Sequence, residues 1–109
     1  VVLLVRGPPS GAGPAAYEEN VRLIGGAVAL YASDTNTQFG HPMWPTENGE
    51  LAPSGEYAEI NWYAGYTIDT TVFRFYPDYV QTLPLHHDEG VWLIDSGGNV
   101  LCDMEPEDY

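Results

Sequence analysis

Lysine is absent from this 109-residue chain, and three arginines stand against 16 acidic residues, a formal charge of −13. A surface of that sign repels nucleic acid and anionic membranes and attracts basic partners. Direct binding to DNA, RNA or a bilayer is therefore not expected. A single cysteine, Cys102, excludes an internal disulfide and suits a reducing, cytoplasmic setting. No apolar run approaches the ~18 residues of a membrane span. The opening VVLLV is too short for the apolar region of a signal peptide, and no charged region precedes it. It reads as a buried strand, Val1–Val5. Without lysine, the stretch VVLLVRGPPSGAG fails as a phosphate-binding loop, whose ammonium contacts the phosphates. Pro8, Pro9 and Pro14 also remove N–H donors that a phosphate would need.

What is present is unevenly placed. Residues 1–33 are neutral: Glu18 and Glu19 balance Arg6 and Arg22. Residues 34–109 carry fourteen acids and one base, Arg74. A GC-rich coding sequence or a halophilic background would also deplete lysine. Hydrophobic residues make up 44% of the chain and fourteen are aromatic, enough for one core and one domain spanning 1–109.

Pro14–Ser33 has a helical period: Tyr17, Val21, Ile24, Val28 and Tyr31 share one face. Gly25-Gly26 oppose it, at a cost of roughly 2 kcal/mol against alanine, and VRLI-GG-AVALY also reads as a hairpin. The alanines favour the helix. Asp34–Gly55 is rich in turn residues, yet Phe39, Met43, Trp44 and Leu51 imply that it packs on the domain. Glu56–Tyr63 and Thr67–Tyr76 read as strands joined by Ala64-Gly65-Tyr66. Val91–Asp95 and Asn99–Asp103 flank a Ser96-Gly97-Gly98 turn, a hairpin signal. Asp103–Tyr109 is an acidic tail. The fold class is α+β: one helix in the N-terminal half, packed on a mostly antiparallel sheet of about five strands.

Chemistry-bearing motifs are few. His86-His87-Asp88-Glu89 offers four ligand types, but adjacent residues do not converge on one ion, and a polar turn is the simpler reading. No metal and no cofactor is expected. Cys102, between Leu101 and Asp103, reads as a buried, inert thiol. The leading functional expectation is a non-enzymatic, acidic binding protein of the inhibitor or immunity type. It would occupy a basic, nucleic-acid-binding surface of a partner such as a nuclease. Asp103, Glu105 and Glu107 alternate, so an extended chain would set their carboxylates about 6.8 Å apart, a spacing that permits phosphate mimicry. The candidate contact residues are Asp88, Glu89, Asp103, Glu105, Glu107 and Asp108, with Trp44, Tyr57, Tyr63 and Tyr66 as aromatic anchors. A second acidic group, Glu47, Glu50, Glu56 and Glu59, lies beside the long loop. Two other classes compete: a small enzyme or ligand-binding domain using a Tyr/Trp/His pocket with His41, His86 and His87, and a structural or assembly subunit such as a virion component. Clustered charge favours the first class, a deep aromatic pocket the second, and a large apolar surface the third.

Overall fold

The computed structural model describes residues 14–84 and 92–103. Val1–Val5, the His86–Glu89 turn and the acids Glu105, Glu107 and Asp108 lie outside the described residues. The order of elements is α1 (Pro14–Phe39), β1 (Tyr57–Glu59), β2 (Gly65–Ile68), β3 (Thr71–Arg74), a single wide helical turn (Phe75–Tyr79), β4 (Trp92–Asp95) and β5 (Val100–Cys102). Strands β1-β4-β5 form one antiparallel sheet and β2-β3 a second. The class is α+β, with one long helix beside both sheets.

α1 is unbroken across Gly25-Gly26, which excludes the hairpin alternative. Its buried stripe of Ile24, Ala27, Val28, Tyr31, Ala32 and Thr35 brackets the glycines, and burial outweighs their propensity cost. The helix also runs six residues past Ser33, through a segment whose composition reads as loop. Thr35 accounts for this. Its hydroxyl donates to Tyr31 O at 2.8 Å and accepts from Met43 N at 2.8 Å. One threonine thus extends the helix and ties down the following loop. Gly40, at φ 83°, ends α1 by donating its N–H to Asn36 O at 2.9 Å, a common helix stop.

The loop from 40 to 56 packs as expected. Thr46 bridges to Ile60, and Asn61 N donates to Pro45 O at 2.9 Å. The central strands differ from the sequence reading. Glu56–Tyr63 is not one strand: β1 ends at Glu59, and the Asn61 carboxamide turns the chain by accepting from Tyr63 N at 3.1 Å. Nor does β1 pair with the Thr67–Tyr76 segment. It pairs with β4, with Tyr57 opposite Asp95 and Glu59 opposite Leu93. Thr67–Tyr76 folds back on itself instead. Asp69, at φ 57°, makes a two-residue turn with Thr70, so Ile68 faces Thr71 and Gly65 faces Arg74. Aspartate tolerates that left-handed backbone. Gly65 is required by proximity, since a Cβ there would collide with the backbone oxygen of Phe73. The Ser96-Gly97-Gly98 hairpin forms as read, pairing Trp92 with Cys102 and Ile94 with Val100.

The core lies between α1 and the sheets. Tyr17 seals the edge of β5: its hydroxyl donates to Cys102 O at 3.0 Å and receives Cys102 N at 3.3 Å. At the other end of α1, Tyr31 packs edge-on against Tyr66, Phe75 and Tyr79, with ring centroids 5.2–5.8 Å apart. Trp62 stacks on Phe75 at 5.9 Å. Cys102 is buried, as expected.

Phe75 is fully buried, so Phe75→Ala is expected to cost about 3–5 kcal/mol in urea denaturation. Half-buried Phe73 should cost measurably less on the same change. Equal losses at both positions would contradict this placement of the core.

Candidate functional site

Three features of the surface stand out, and none is a deep pocket. The first is the acidic surface outside α1. Glu47, Glu50 and Glu56 are exposed on the long loop, Glu59 on β1, Asp69 on the β2–β3 turn, Asp78 on the following turn and Asp103 just past β5. Arg74, the only base on this side among the described residues, is engaged. Its guanidinium donates to Tyr63 O at 3.1 Å, and its backbone N–H donates to Asp78 Oδ2 at 2.8 Å. The acids are spread over the long loop, β1 and the turns and ends beside the other strands rather than gathered in one row.

The second feature is a shallow groove of about 540 Å³ between α1 and the β4–β5 turn, lined by Val21, Arg22, Gly25, Trp44, Gly98 and Asn99 among others. Trp44 rests on the turn; a Cβ at Gly98 would come within 3.1 Å of its ring. The turn is organised by Asp95. Its Oδ1 accepts Asn99 N and Gly97 N, each at 2.9 Å. These backbone donors, Asn99 first, hold the Asp95 carboxyl below its usual range. Arg22 is drawn to Glu19 at 2.6 Å, an exposed pair of little energetic consequence. Among the described residues, no three His, Cys, Asp or Glu side chains gather as metal ligands. No buried polar side-chain atom among them lacks a hydrogen-bond partner. His41 is exposed on the loop, away from the groove lining.

The third feature is the outer face of α1, which charge and composition set apart. From Leu23 to Phe39 the exposed positions are Leu23, Gly26, Ala29, Leu30, Ser33 and the polar residues 36–38, ending in Phe39. None is charged. Leu23 and Leu30 are each 54% exposed.

The candidate anchors divide. Tyr57 and Tyr63 are 57% and 58% exposed, as a contact residue should be, and Trp44 is half-buried in the groove wall. Tyr66 is buried and belongs to the core. Its hydroxyl bonds that of Tyr79, which in turn donates to Asp34 Oδ2 at 2.8 Å. Because the Tyr79 proton goes to Asp34, Tyr66 is the donor in the first bond. Burial and these two bonds push the Tyr79 hydroxyl well above the ordinary tyrosine range, and burial pushes Tyr31 up to about 12. Asp103 is exposed, while Asp88, Glu89, Glu105, Glu107 and Asp108 lie outside the described residues. The helix face was missed in the sequence although its signal was there: a charge-free run from Leu23 to Ser33 on a chain of −13.

No protein-family model, curated protein or solved structure matches the chain.

Two outcomes follow from the bonding. Tyr79→Phe, which leaves Asp34 and the Tyr66 hydroxyl without their partner, should lose about 1–2 kcal/mol by chemical denaturation. Asp95 contributes stability above its unfolded pKa of 3.8, and that stability is lost as the pH falls through its lower folded value. The gap in thermal midpoint between the parent and Asp95→Asn should therefore be widest near neutrality and close in strong acid. A gap that is constant with pH would show that the carboxylate charge has no part in the turn.

Proposed function

We propose that this chain is a non-enzymatic interaction protein whose acidic face engages a basic protein surface, such as the nucleic-acid-binding face of a nuclease. The observation that carries this reading is a charge almost entirely of one sign. Outside α1, the exposed acids meet a single arginine among the described residues, and that arginine is already bonded to Tyr63 and Asp78. Such a surface accelerates encounter with a cationic partner. Tyr57 and Tyr63 stand exposed beside Glu59 and Arg74, where aromatic rings add contact area at low entropic cost. On this reading the chain competes with nucleic acid for its partner and does not bind nucleic acid itself.

A second reading, an assembly subunit, is favoured by a different observation: the uncharged outer face of α1 with Leu23 and Leu30. The two readings use different surfaces and are compatible in one molecule. A ligand-binding pocket gains less support, because the groove at Trp44 is shallow and His41 stands apart from it.

The test of the first reading uses an arginine-rich peptide and a basic DNA-binding domain as probes. Their association rates should fall steeply between about 50 and about 500 mM salt, because screening shortens the reach of surface charge to a few ångströms. Replacing Glu47, Glu50, Glu56 and Glu59 by glutamine should slow association while changing stability by no more than about 0.5 kcal/mol each. Replacement of Asp103 by asparagine, alone and together with Asp88, Glu89, Glu105, Glu107 and Asp108, reports on the C-terminal acids. Rates that ignore both salt and neutralisation would refute the proposal, as would micromolar binding of the chain to plain duplex DNA.

A further inference from the structure

We infer that the outer edge of β1, Tyr57–Glu59, takes up an extended segment of a basic partner protein as an added strand. The inference rests on the reading that the acidic surface engages a basic protein, and it names the place and the form of that contact.

The argument starts from backbone bonds that β1 does not make. In an antiparallel ladder, successive residues of one strand send their N–H and C=O to opposite sides. Asp95 N donates to Asn99 O at 2.9 Å, on the β5 side. Ile94 therefore faces the other way and exchanges bonds with its partner Ala58 on β1. Ile60 N, donating to Trp92 O at 3.0 Å, keeps the same alternation. Tyr57 and Glu59 must then point their N–H and C=O away from β4. β1 is the outer strand of its sheet, and no group among the described residues bonds these donors and acceptors. Tyr57 is 57% exposed and Glu59 is exposed. Such a row is a template for a further strand.

The chain itself begins that strand and then leaves it. Asn61 points to the same side as Glu59, and its N–H donates to Pro45 O at 2.9 Å. Thr46 bridges to Ile60 in the antiparallel sense. Beyond Thr46 the chain turns off: Gly49 N donates to Thr46 O at 3.2 Å, and Asn48 Oδ1 accepts Glu50 N at 3.0 Å. The same lane beside Glu59 and Tyr57 holds no strand among the described residues. Two other strand edges are capped by side chains. The Tyr17 hydroxyl takes both backbone groups of Cys102 on β5, and Asp78 takes the N–H of Arg74 on β3.

Charge selects the occupant. The side chains of Tyr57 and Glu59 share the solvent face of β1, and Ala58 lies on the other. Glu56, just before the strand, is exposed as well. A cationic residue opposite Glu59 makes a cross-strand pair of opposite charge. A second cation two residues along lies opposite Tyr57, whose ring attracts it. The residue between them faces Ala58, small enough to admit a branched apolar neighbour. The occupant is thus an extended segment that alternates basic and β-branched residues. A second copy of this chain would bring its own Glu56 and Glu59 to the edge, where like charges are unfavourable. Nucleic acid has no peptide backbone to continue the ladder, and its phosphates are repelled.

The probe is a peptide of alternating arginine and valine, about ten residues long, near the upper length of a strand. Two forms of it keep the charge and differ in the backbone: one is N-methylated at the arginines, the other at the valines. With arginine opposite Glu59 and Tyr57, the arginine N–H groups are the ones that bond β1. Methylation there should weaken binding about tenfold or more, and methylation at the valines should leave it near the parent value. Amide hydrogen exchange of the full 109-residue chain gives a second reading. The Tyr57 and Glu59 amides should exchange fast in the free chain and slow about tenfold or more with the parent peptide bound, while Ala58 stays protected throughout. Glu59→Pro, which removes an outward donor that the β4 ladder does not use, should bind the parent peptide several-fold more weakly than Glu59→Gln; if Glu59→Pro fails to fold, the methylated peptides decide alone. Equal, salt-weakened binding of both methylated forms would overturn strand addition and leave the acidic-surface reading standing. Slow exchange at Tyr57 and Glu59 in the free chain would overturn it too, because the edge would already be covered by another part of the chain or by a second copy. Failure of the parent peptide to bind at low salt would overturn the inference, and the basic DNA-binding domain decides the wider reading separately.

Discussion

The structure depends on one constraint: a single helix face must serve as the floor for two sheets that share no strand. Ile24 and Val28, near the middle of α1, are buried in the one core cluster that also holds residues of both sheets. Towards the N-terminal end, Tyr17 closes the edge of β5 through Cys102. Towards the other end, Tyr31 gathers Tyr66, Phe75 and Tyr79 around its ring. Because an isolated two-stranded hairpin is at best marginally stable, the β2–β3 hairpin depends on the helix for its apolar partner, and the three-stranded sheet buries its inner face on the same helix. Backbone bonds supplement the rings: Phe75 N reaches Ala64 O at 2.7 Å, and Tyr76 N reaches Trp62 O at 2.9 Å.

That division of labour also sorts the charge. Apart from Glu18, Glu19 and Asp34 on α1, the described acids fall on the loop, on β1 and β4 and on the connections after them. The helix keeps an outer surface with no charge beyond Arg22. Two kinds of surface are thereby separated on one small molecule: a charged one, whose field reaches about a Debye length, and an uncharged one. Among the described residues both arginines are spent internally, Arg22 on Glu19 and Arg74 on Tyr63 O.

Legibility in the sequence followed the range of the interaction. The helix was readable from Tyr17, Val21, Ile24, Val28 and Tyr31, because its period is local. The Ser96–Gly98 turn was readable because glycine marks it. Residues 34–39 were not. Asp34, Asn36 and Thr37 look like a loop, and the bond that recruits Thr35 comes from Met43, eight residues on. The β2–β3 hairpin was hidden because alternation runs straight through TIDTTVFRFY and nothing but Asp69 marks the reversal. The pairing of β1 with β4 depends on residues nearly forty positions apart, which local pattern does not encode. At the candidate site, Tyr57 and Tyr63 lie at the surface as their type suggested. Tyr66 does not, since its neighbours Tyr31 and Phe39 come from the helix. The uncharged helix face escaped attention because absence of charge is conspicuous only once burial is known.

The strand order β1-β4-β5 has a consequence for the chain as it leaves the ribosome. The middle strand of the larger sheet is made long after its first strand. Until Trp92–Asp95 emerges, β1 has no partner, and the Tyr17 end of α1 has no β5 to cover it. The C-terminal half of α1 and its ring partners Tyr66, Phe75 and Tyr79 are supplied earlier, within one contiguous stretch of sequence. Vectorial synthesis therefore leaves an apolar helix end uncovered for an interval set by translation speed, and a chaperone or a neighbouring nascent chain would meet that end first.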